Sequence, residues 1–117
     1  MKIIYSESLC PIRDILCRLS SKWAMLILVT LNKNNTMRFN DIHKSIGDIS
    51  QRMLTVTLRI LETDGLISRK VYPEVPPRVE YQLTSTGESL IPHIKGLVDW
   101  ALQNRDTIVK ERNKVEE

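Results

Sequence analysis

Residues 39–65, FNDIHKSIGDISQRMLTVTLRILETDG, decide the fold. Phe39, Ile42 and Ile46 give a short helix one apolar face, with Asn40 placed to cap it, and Gly47 stops it by offering the left-handed conformation of a C-terminal cap. Only Asp48 and Ile49 separate Gly47 from Ser50, the next N-cap candidate, so this helix must turn sharply into another. In that second helix Leu54, Leu58 and Leu61 recur at i, i+4 and i+7 as a buried stripe, and Asp64-Gly65 ends it. At about 100° per residue the opposite face carries Arg52, Thr55, Val56, Arg59 and Thr63, a basic and hydroxylic surface. Two helices joined by so tight a turn read as a helix-turn-helix.

The flanks complete the picture. Pro11 suits a first helical position, and Ile12, Ile15, Leu16 and Leu19 form an amphipathic stripe behind it. Ser20 or Ser21 caps a second helix from Lys22 to about Asn32 that is apolar nearly all round, as a central core helix is. A polar run, residues 32–36, leads into Met37-Arg38-Phe39, which reads as a short strand. Beyond Gly65, Leu66 to Tyr72 and Arg78 to Thr84 read as two strands, with Val79, Tyr81 and Leu83 alternating against Arg78, Glu80 and Gln82. The connection Pro73-Glu-Val-Pro-Pro77 makes them a hairpin with a stiff, donor-poor tip. Ser85-Thr86-Gly87-Glu88 fits a capping box opening a final helix, kinked early by Pro92 and fraying over residues 112–117. The class that follows is mainly α with a small β-hairpin, a winged helix-turn-helix in one domain, residues 1–117. Its recognition helix spans about 50–64, its wing 66–84 and its final helix about 86–113.

Composition removes other classes. The 117 residues are 42% hydrophobic and 26% charged, ordinary globular usage. The longest apolar stretch, Trp23 to Val29 and then Leu31, is far short of the roughly 18 residues that suggest a membrane span. The N-terminus shows no secretory leader, so a cytoplasmic location is expected. The net charge of +3 permits nucleic-acid binding without demanding it, and residues 36–84 hold seven Lys/Arg against six Asp/Glu. A DNA-binding surface must come from placement of charge. Cys10 and Cys17 lie seven apart, about 10 Å along a helix, too far for a disulfide within one chain. With His43 and His93 remote from them, no metal-ligand spacing exists, and Cys17 reads as a packing residue. No phosphate loop, carboxylate pair or nucleophile motif is present, so neither an enzyme nor a cofactor is expected.

The major groove of B-DNA admits one helix, and the outer face of that helix reaches base edges and phosphates. Arg52 and Arg59 can donate bidentately to guanine, Thr55 and Val56 suit a thymine methyl, and Gln51 suits adenine. Arg78, beside the hairpin tip, can enter the minor groove or clasp a phosphate, or else pair with an acid across the strands. His43 reads as solvated or phosphate-facing, His93 as a helix decoration, and Trp23 and Trp100 as core and interface anchors. The final helix offers Ile94, Leu97, Val98, Ala101, Leu102, Ile108 and Val109, a longer apolar face than a small core covers, and a homodimer is expected there.

From Cys10-Pro11 to Trp100 the sequence resembles the HxlR-type regulators, winged-helix relatives of the MarR group. The likeness rests on Lys22-Trp23, Arg38-Phe39, Ile49-Ser50-Gln51-Arg52-Met53-Leu54, Leu61-Glu62, Asp64-Gly65-Leu66-Ile67 and Arg69, then Val75-Pro76-Pro77-Arg78-Val79-Glu80-Tyr81, Leu83-Thr84 and Gly87. Ser20-Ser21, where members often have glycine, and Cys17 depart from the pattern. The resemblance implies a homodimer built from the N- and C-terminal helices, presenting two recognition helices to successive major grooves of a pseudo-palindromic double-stranded operator. Arg38 and Ser50, inside matching motifs, join Gln51, Arg52, Thr55, Val56, Arg59 and Arg78 as candidate DNA contacts. Cys10 matches the Cys-Pro at which several members sense oxidants or electrophiles, and a helix N-terminus with Arg13 nearby favours a thiolate. A metabolite effector between dimerisation and wing regions is an additional option. The rival reading is a winged helix used as a protein-interaction module, for which an apolar or acidic recognition face is expected.

Overall fold

The computed structural model describes residues 9–116, and the side chains of residues 12–115. The elements run α1 (Leu9–Leu19), α2 (Lys22–Asn34), β1 (Thr36–Arg38), α3 (Phe39–Ile46), α4 (Gln51–Thr63), β2 (Ile67–Tyr72), β3 (Arg78–Leu83) and α5 (Ser85–Glu116). The sheet is antiparallel in the order β1-β3-β2, so the short strand before α3 joins the hairpin as a third strand. Met37 pairs Tyr81 and Arg69 pairs Tyr81 from the other side, which puts β3 in the centre.

Helix α2 is the hub. Ser21 caps it, its hydroxyl accepting from the Ala24 N–H at 3.1 Å. Ala24, Ile27, Leu28 and Leu31 are fully buried, and Ile42 of α3, Leu54, Leu58 and Leu61 of α4, Ile67 of β2 and Ile91 and Ile94 of α5 close around them. Trp23 packs at the edge of this core with the Lys22 ammonium 4.3 Å from its ring centroid.

Several expectations shift at helix ends. Helix α1 begins at Leu9, so Pro11 sits in its first turn and not at its first residue. Arg38, not Asn40, flanks the start of α3 and makes no side-chain cap, because β1 holds it extended with Glu80 opposite. Thr84, not Ser85, caps α5: its hydroxyl accepts from the Gly87 N–H at 3.1 Å. Pairing of β3 stops one residue earlier than its alternation suggests and frees Thr84 for that task. Helix α5 runs unbroken through Pro92 to Glu116, without fraying at 112.

The end of α4 is a Schellman motif, the Gly65 N–H reaching the Glu62 carbonyl and the Leu66 N–H reaching the Leu61 carbonyl, both at 3.0 Å, with Gly65 at φ +76°. The Leu66 carbonyl in turn accepts from the Thr84 N–H at 3.0 Å, and the Thr84 hydroxyl donates to the Gly65 carbonyl at 2.6 Å. Gly87 lies flat against this knot, where a Cβ would fall inside the Leu66 carbonyl oxygen and within 3.2 Å of Leu83. Gly87→Ala should therefore destabilise the fold by about 1–3 kcal/mol, the steric cost exceeding alanine's better helix propensity. Urea denaturation measures this, and a variant as stable as the parent would disprove the close approach.

Candidate nucleic-acid interface

Three residues build the turn between α3 and α4. Gly47 stands at φ +90° and sends its N–H to the His43 carbonyl at 2.9 Å. Ser50 accepts from the Met53 N–H at 3.0 Å and so caps α4. His43 Nε2 donates to the Ile49 carbonyl at 2.8 Å while its ring stacks on Phe39. His43 is thus a brace of the turn, and not the solvated or phosphate-facing residue expected, because the turn folds the Ile49 carbonyl back over its ring. Ile49, buried, plugs the corner beneath.

Held this way, α4 exposes Gln51, Arg52, Thr55, Val56, Arg59 and Thr63 along one face, as the periodicity predicts. Among the described residues Arg52 and Arg59 form no ion pair, whereas Arg18, Arg69 and Arg78 all do. Thr55 returns its hydroxyl hydrogen to the Gln51 carbonyl at 2.8 Å, so it presents outward a methyl group and an acceptor. Thr57, on the inner side, satisfies its buried hydroxyl in the same way on Met53, at 2.7 Å.

The other candidates lie off the helix. Arg38 stands exposed on the edge strand β1. Arg78 is folded into the wing: its guanidinium carbon lies 4.0 Å from the Tyr72 ring centroid, with Glu74 at 3.4 Å and Glu80 at 3.7 Å. Its Nε is shielded from solvent without a hydrogen-bond partner, since Glu80 stays beyond hydrogen-bond reach. Any contact Arg78 makes outside the chain must draw it away from two carboxylates and an aromatic face.

Where α4 meets the wing, Thr55, Leu58, Arg59, Glu62, Arg69 and Tyr81 line a cleft of about 230 Å³. Burial raises the Tyr81 phenol above its ordinary pKa, with Arg69, Glu62 and Arg59 as the charges it feels. The sequence pattern marks Tyr81 only as one of the apolar alternating residues. Its register pairing with Arg69 is the signal that joins the two, and that pairing becomes legible only once the strands are aligned.

The expected interface helix divides into two parts. Ile94 is only 5% exposed because it packs into the core of its own chain, so it has little surface left for a partner. Leu97, Val98, Ala101, Leu102 and Val109 are exposed, Ile108 is half-buried, and Trp100 is 55% exposed beside them. Ile15 and Leu16 of α1 are likewise more than half exposed. An apolar groove of about 390 Å³ lined by Ile15, Leu19, Leu66, Leu90 and His93 runs between α1 and α5. Cys17 is exposed, contrary to its reading as a packing residue, because among the described residues of α1 it is Leu19, at the C-terminal end, that packs against the core. The Cys10 side chain lies outside the described residues. Among the described residues no cluster of His, Cys, Asp or Glu forms a metal site, and no helix is long and apolar enough to cross a membrane.

A short helix turning into a capped, outward-facing helix beside a three-stranded wing defines a winged helix-turn-helix. The chain belongs to the HxlR-like helix-turn-helix family, whose model matches residues 18–109. An HTH-type transcriptional regulator of Methanothermobacter thermautotrophicus is 51% identical over 94 residues, which are 80% of this chain and 71% of that relative. The ytfH structure from Salmonella typhimurium superposes with a TM-score of 0.79 at 40% identity, over 88% of this chain and 91% of the other. The redox regulator HypR in its reduced form gives a TM-score of 0.77 at 37% identity, over 86% and 98% of the two chains.

Because the whole outward face is aimed by the start of α4, Ser50→Ala should cost about 1 kcal/mol of stability, with Ser50→Asp retaining most of it. Chemical denaturation of the two variants checks the cap, and a Ser50→Ala variant as stable as the parent would show that it contributes nothing.

Proposed function

We propose that this protein is a sequence-specific regulator of transcription that binds a pseudo-palindromic double-stranded operator as a homodimer. The observation that carries the reading is the exposed face of α4, on which Arg52 and Arg59 stand without an ion-pair partner among the described residues, beside Gln51, Thr55 and Val56. An acidic or apolar face would have suited a protein-interaction module, and this one is neither. Arg52, near the helix start, is the residue best placed to read a guanine.

The dimer is argued from shape and exposure. A compact chain of this length has a radius of gyration of about 13 Å. This one measures 17.2 Å, because the distal half of α5 projects with Leu97, Val98, Trp100, Leu102 and Val109 uncovered. A second copy bringing its own α1 and α5 would cover both sets of apolar residues, and two-fold symmetry would then present two copies of α4 to two half-sites.

Selection of bound genomic fragments tests the reading: the enriched sites should contain an inverted repeat, and sedimentation at micromolar concentration should report a dimer. On the selected site Arg52→Ala should cost about 1–3 kcal/mol and relax preference at one base pair per half-site. A monomer, or fragments enriched without any shared sequence, would count against it.

Cys10 is proposed as the residue through which oxidants or electrophiles release the operator, an assignment supported by likeness to a redox regulator known in reduced and oxidised forms. A bulky or charged adduct in the first turn of α1 would press on the surface assigned to the dimer, and a modification disfavouring one dimer geometry by about 3 kcal/mol shifts the equilibrium roughly a hundredfold. Diamide titration should abolish operator binding by the parent and by Cys17→Ser, but not by Cys10→Ser. Equal sensitivity of Cys10→Ser would place the switch elsewhere.

A further inference from the structure

We propose that the cleft between α4 and the wing seats one backbone phosphate of duplex DNA, gripped by Arg59, Arg69 and Tyr81, with Glu62 competing for Arg69 until the phosphate displaces it. The proposal rests on the DNA-binding reading and assigns a role to three residues, Arg69, Tyr81 and Glu62, that the recognition helix does not require.

The face of the sheet turned toward the helices carries Ile67, Arg69 and Val71 on β2 opposite Leu83, Tyr81 and Val79 on β3. Ile67 is buried in the core and Leu83 packs against it. One pair further out, where the core ends, the sequence places a guanidinium and a phenol in place of two apolar side chains. Leu58 and Thr55 line the cleft beside them, and Arg59 and Glu62 approach from the helix. Arg69 lies 3.6 Å from Glu62, with side chains 45% and 39% exposed. A pair so exposed contributes little to stability, so the fold alone does not account for an arginine here.

The cleft therefore presents two guanidinium groups, one neutral O–H donor and a single carboxylate. The Tyr81 phenol, protonated at neutral pH as an ordinary tyrosine is and made harder to ionise by partial burial, can donate to an anion. A phosphate oxygen offers Arg69 an acceptor in exchange for Glu62, and offers an ion-pair partner to Arg59, which has none among the described residues.

The occupant follows from the shape of DNA. With the start of α4 in the major groove and the hairpin tip directed along the duplex, the strand that separates the two grooves passes between helix and wing. That strand presents phosphates, not base edges, to residues two turns along the recognition helix. Arg59 on this account positions the protein on the backbone, and base reading is left to Gln51, Arg52 and Val56.

The full chain is titrated into a random duplex of about 30 base pairs, between about 50 and 200 mM salt, and followed by fluorescence anisotropy. Arg69→Ala and Arg59→Ala should each weaken binding severalfold, and the double variant should reduce the salt slope by about 0.9, the share of the one phosphate they grip together. Tyr81→Phe, which leaves charge unchanged, should weaken binding at constant slope, and Glu62→Gln should strengthen it. Thermal melts confirm that each variant is folded. If the parent binds while Arg69→Ala and Tyr81→Phe match it in affinity and slope, the phosphate seat is overturned and the DNA-binding reading stands. A Glu62→Gln loss as large as that of Arg69→Ala would also overturn it, since Glu62 would then be a support and not a competitor. No binding by the parent removes both.

Discussion

The carbonyl of Leu66 is where the outward-facing parts of this chain are fixed to one another. It accepts the Thr84 N–H, lies against Gly87, and belongs to the residue whose own N–H closes the Schellman end of α4. Four elements therefore meet at one peptide group: the recognition helix ends there, β2 leaves it, β3 returns to it and α5 starts from it. The angle between α4 and the wing, and the direction in which α5 projects, are not independent quantities. A glycine at position 87 is required because the backbone of one element touches the backbone of another, a distance no side chain can occupy.

This dependence explains what was legible in the sequence. Gly47, Ser50, Asp64 and Gly65 act through hydrogen bonds spanning only a few residues, so the two helices and the turn between them could be read directly from spacing. The exposed face of α4 followed from the same periodicity. Features that depend on contacts distant in sequence were less visible. The pairing of β1 with β3 joins residues 36–38 to 80–82, and no local pattern signals it. Thr84 displaced Ser85 as a cap because β3 ends against Leu66, and Asn40 lost its role because pairing with Glu80 holds Arg38 extended at the helix start. Ile94 belongs to the apolar face of α5 by periodicity, yet α5 lies along α2 only in its first turns, and there Ile94 is spent on the core. His43 offered no signal beyond its position, since its partner is a carbonyl that the turn itself brings around.

Electrostatics in this protein act through arrangement, because the wing and recognition segments together are nearly neutral. Three arginines are held by neighbouring carboxylates: Arg18 on Asp64, Arg69 on Glu62 and Arg78 between Glu74 and Glu80. Arg52 and Arg59 are left unpaired on the one face that the turn and cap direct outward. A uniformly basic surface would attract any polyanion. The unpaired arginines of α4 stand at fixed positions on one helix face and bind well only where acceptors match that spacing, which ties affinity to register.

The pair between Arg18 and Asp64 adds a constraint on how α1 can move. Arg18 Nε lies 2.7 Å from an Asp64 carboxylate oxygen, and that hydrogen bond raises the guanidinium further above its already high pKa. Asp64 is the C-cap of α4, so the last turn of α1 is tied to the last turn of the recognition helix. A partly exposed pair of this kind stabilises the fold little, and its consequence is geometric. Earlier in α1, Ile15 and Leu16 are more than half exposed and belong to the apolar surface assigned to the proposed dimer. One end of α1 is thus bound to α4, and in the proposed dimer the other would lie at the symmetry axis. In that proposed dimer, displacement at the axis end would pass to α4 as a rotation about the Asp64 end, and for two copies of α4 related by a two-fold axis such a rotation would change the distance between half-sites.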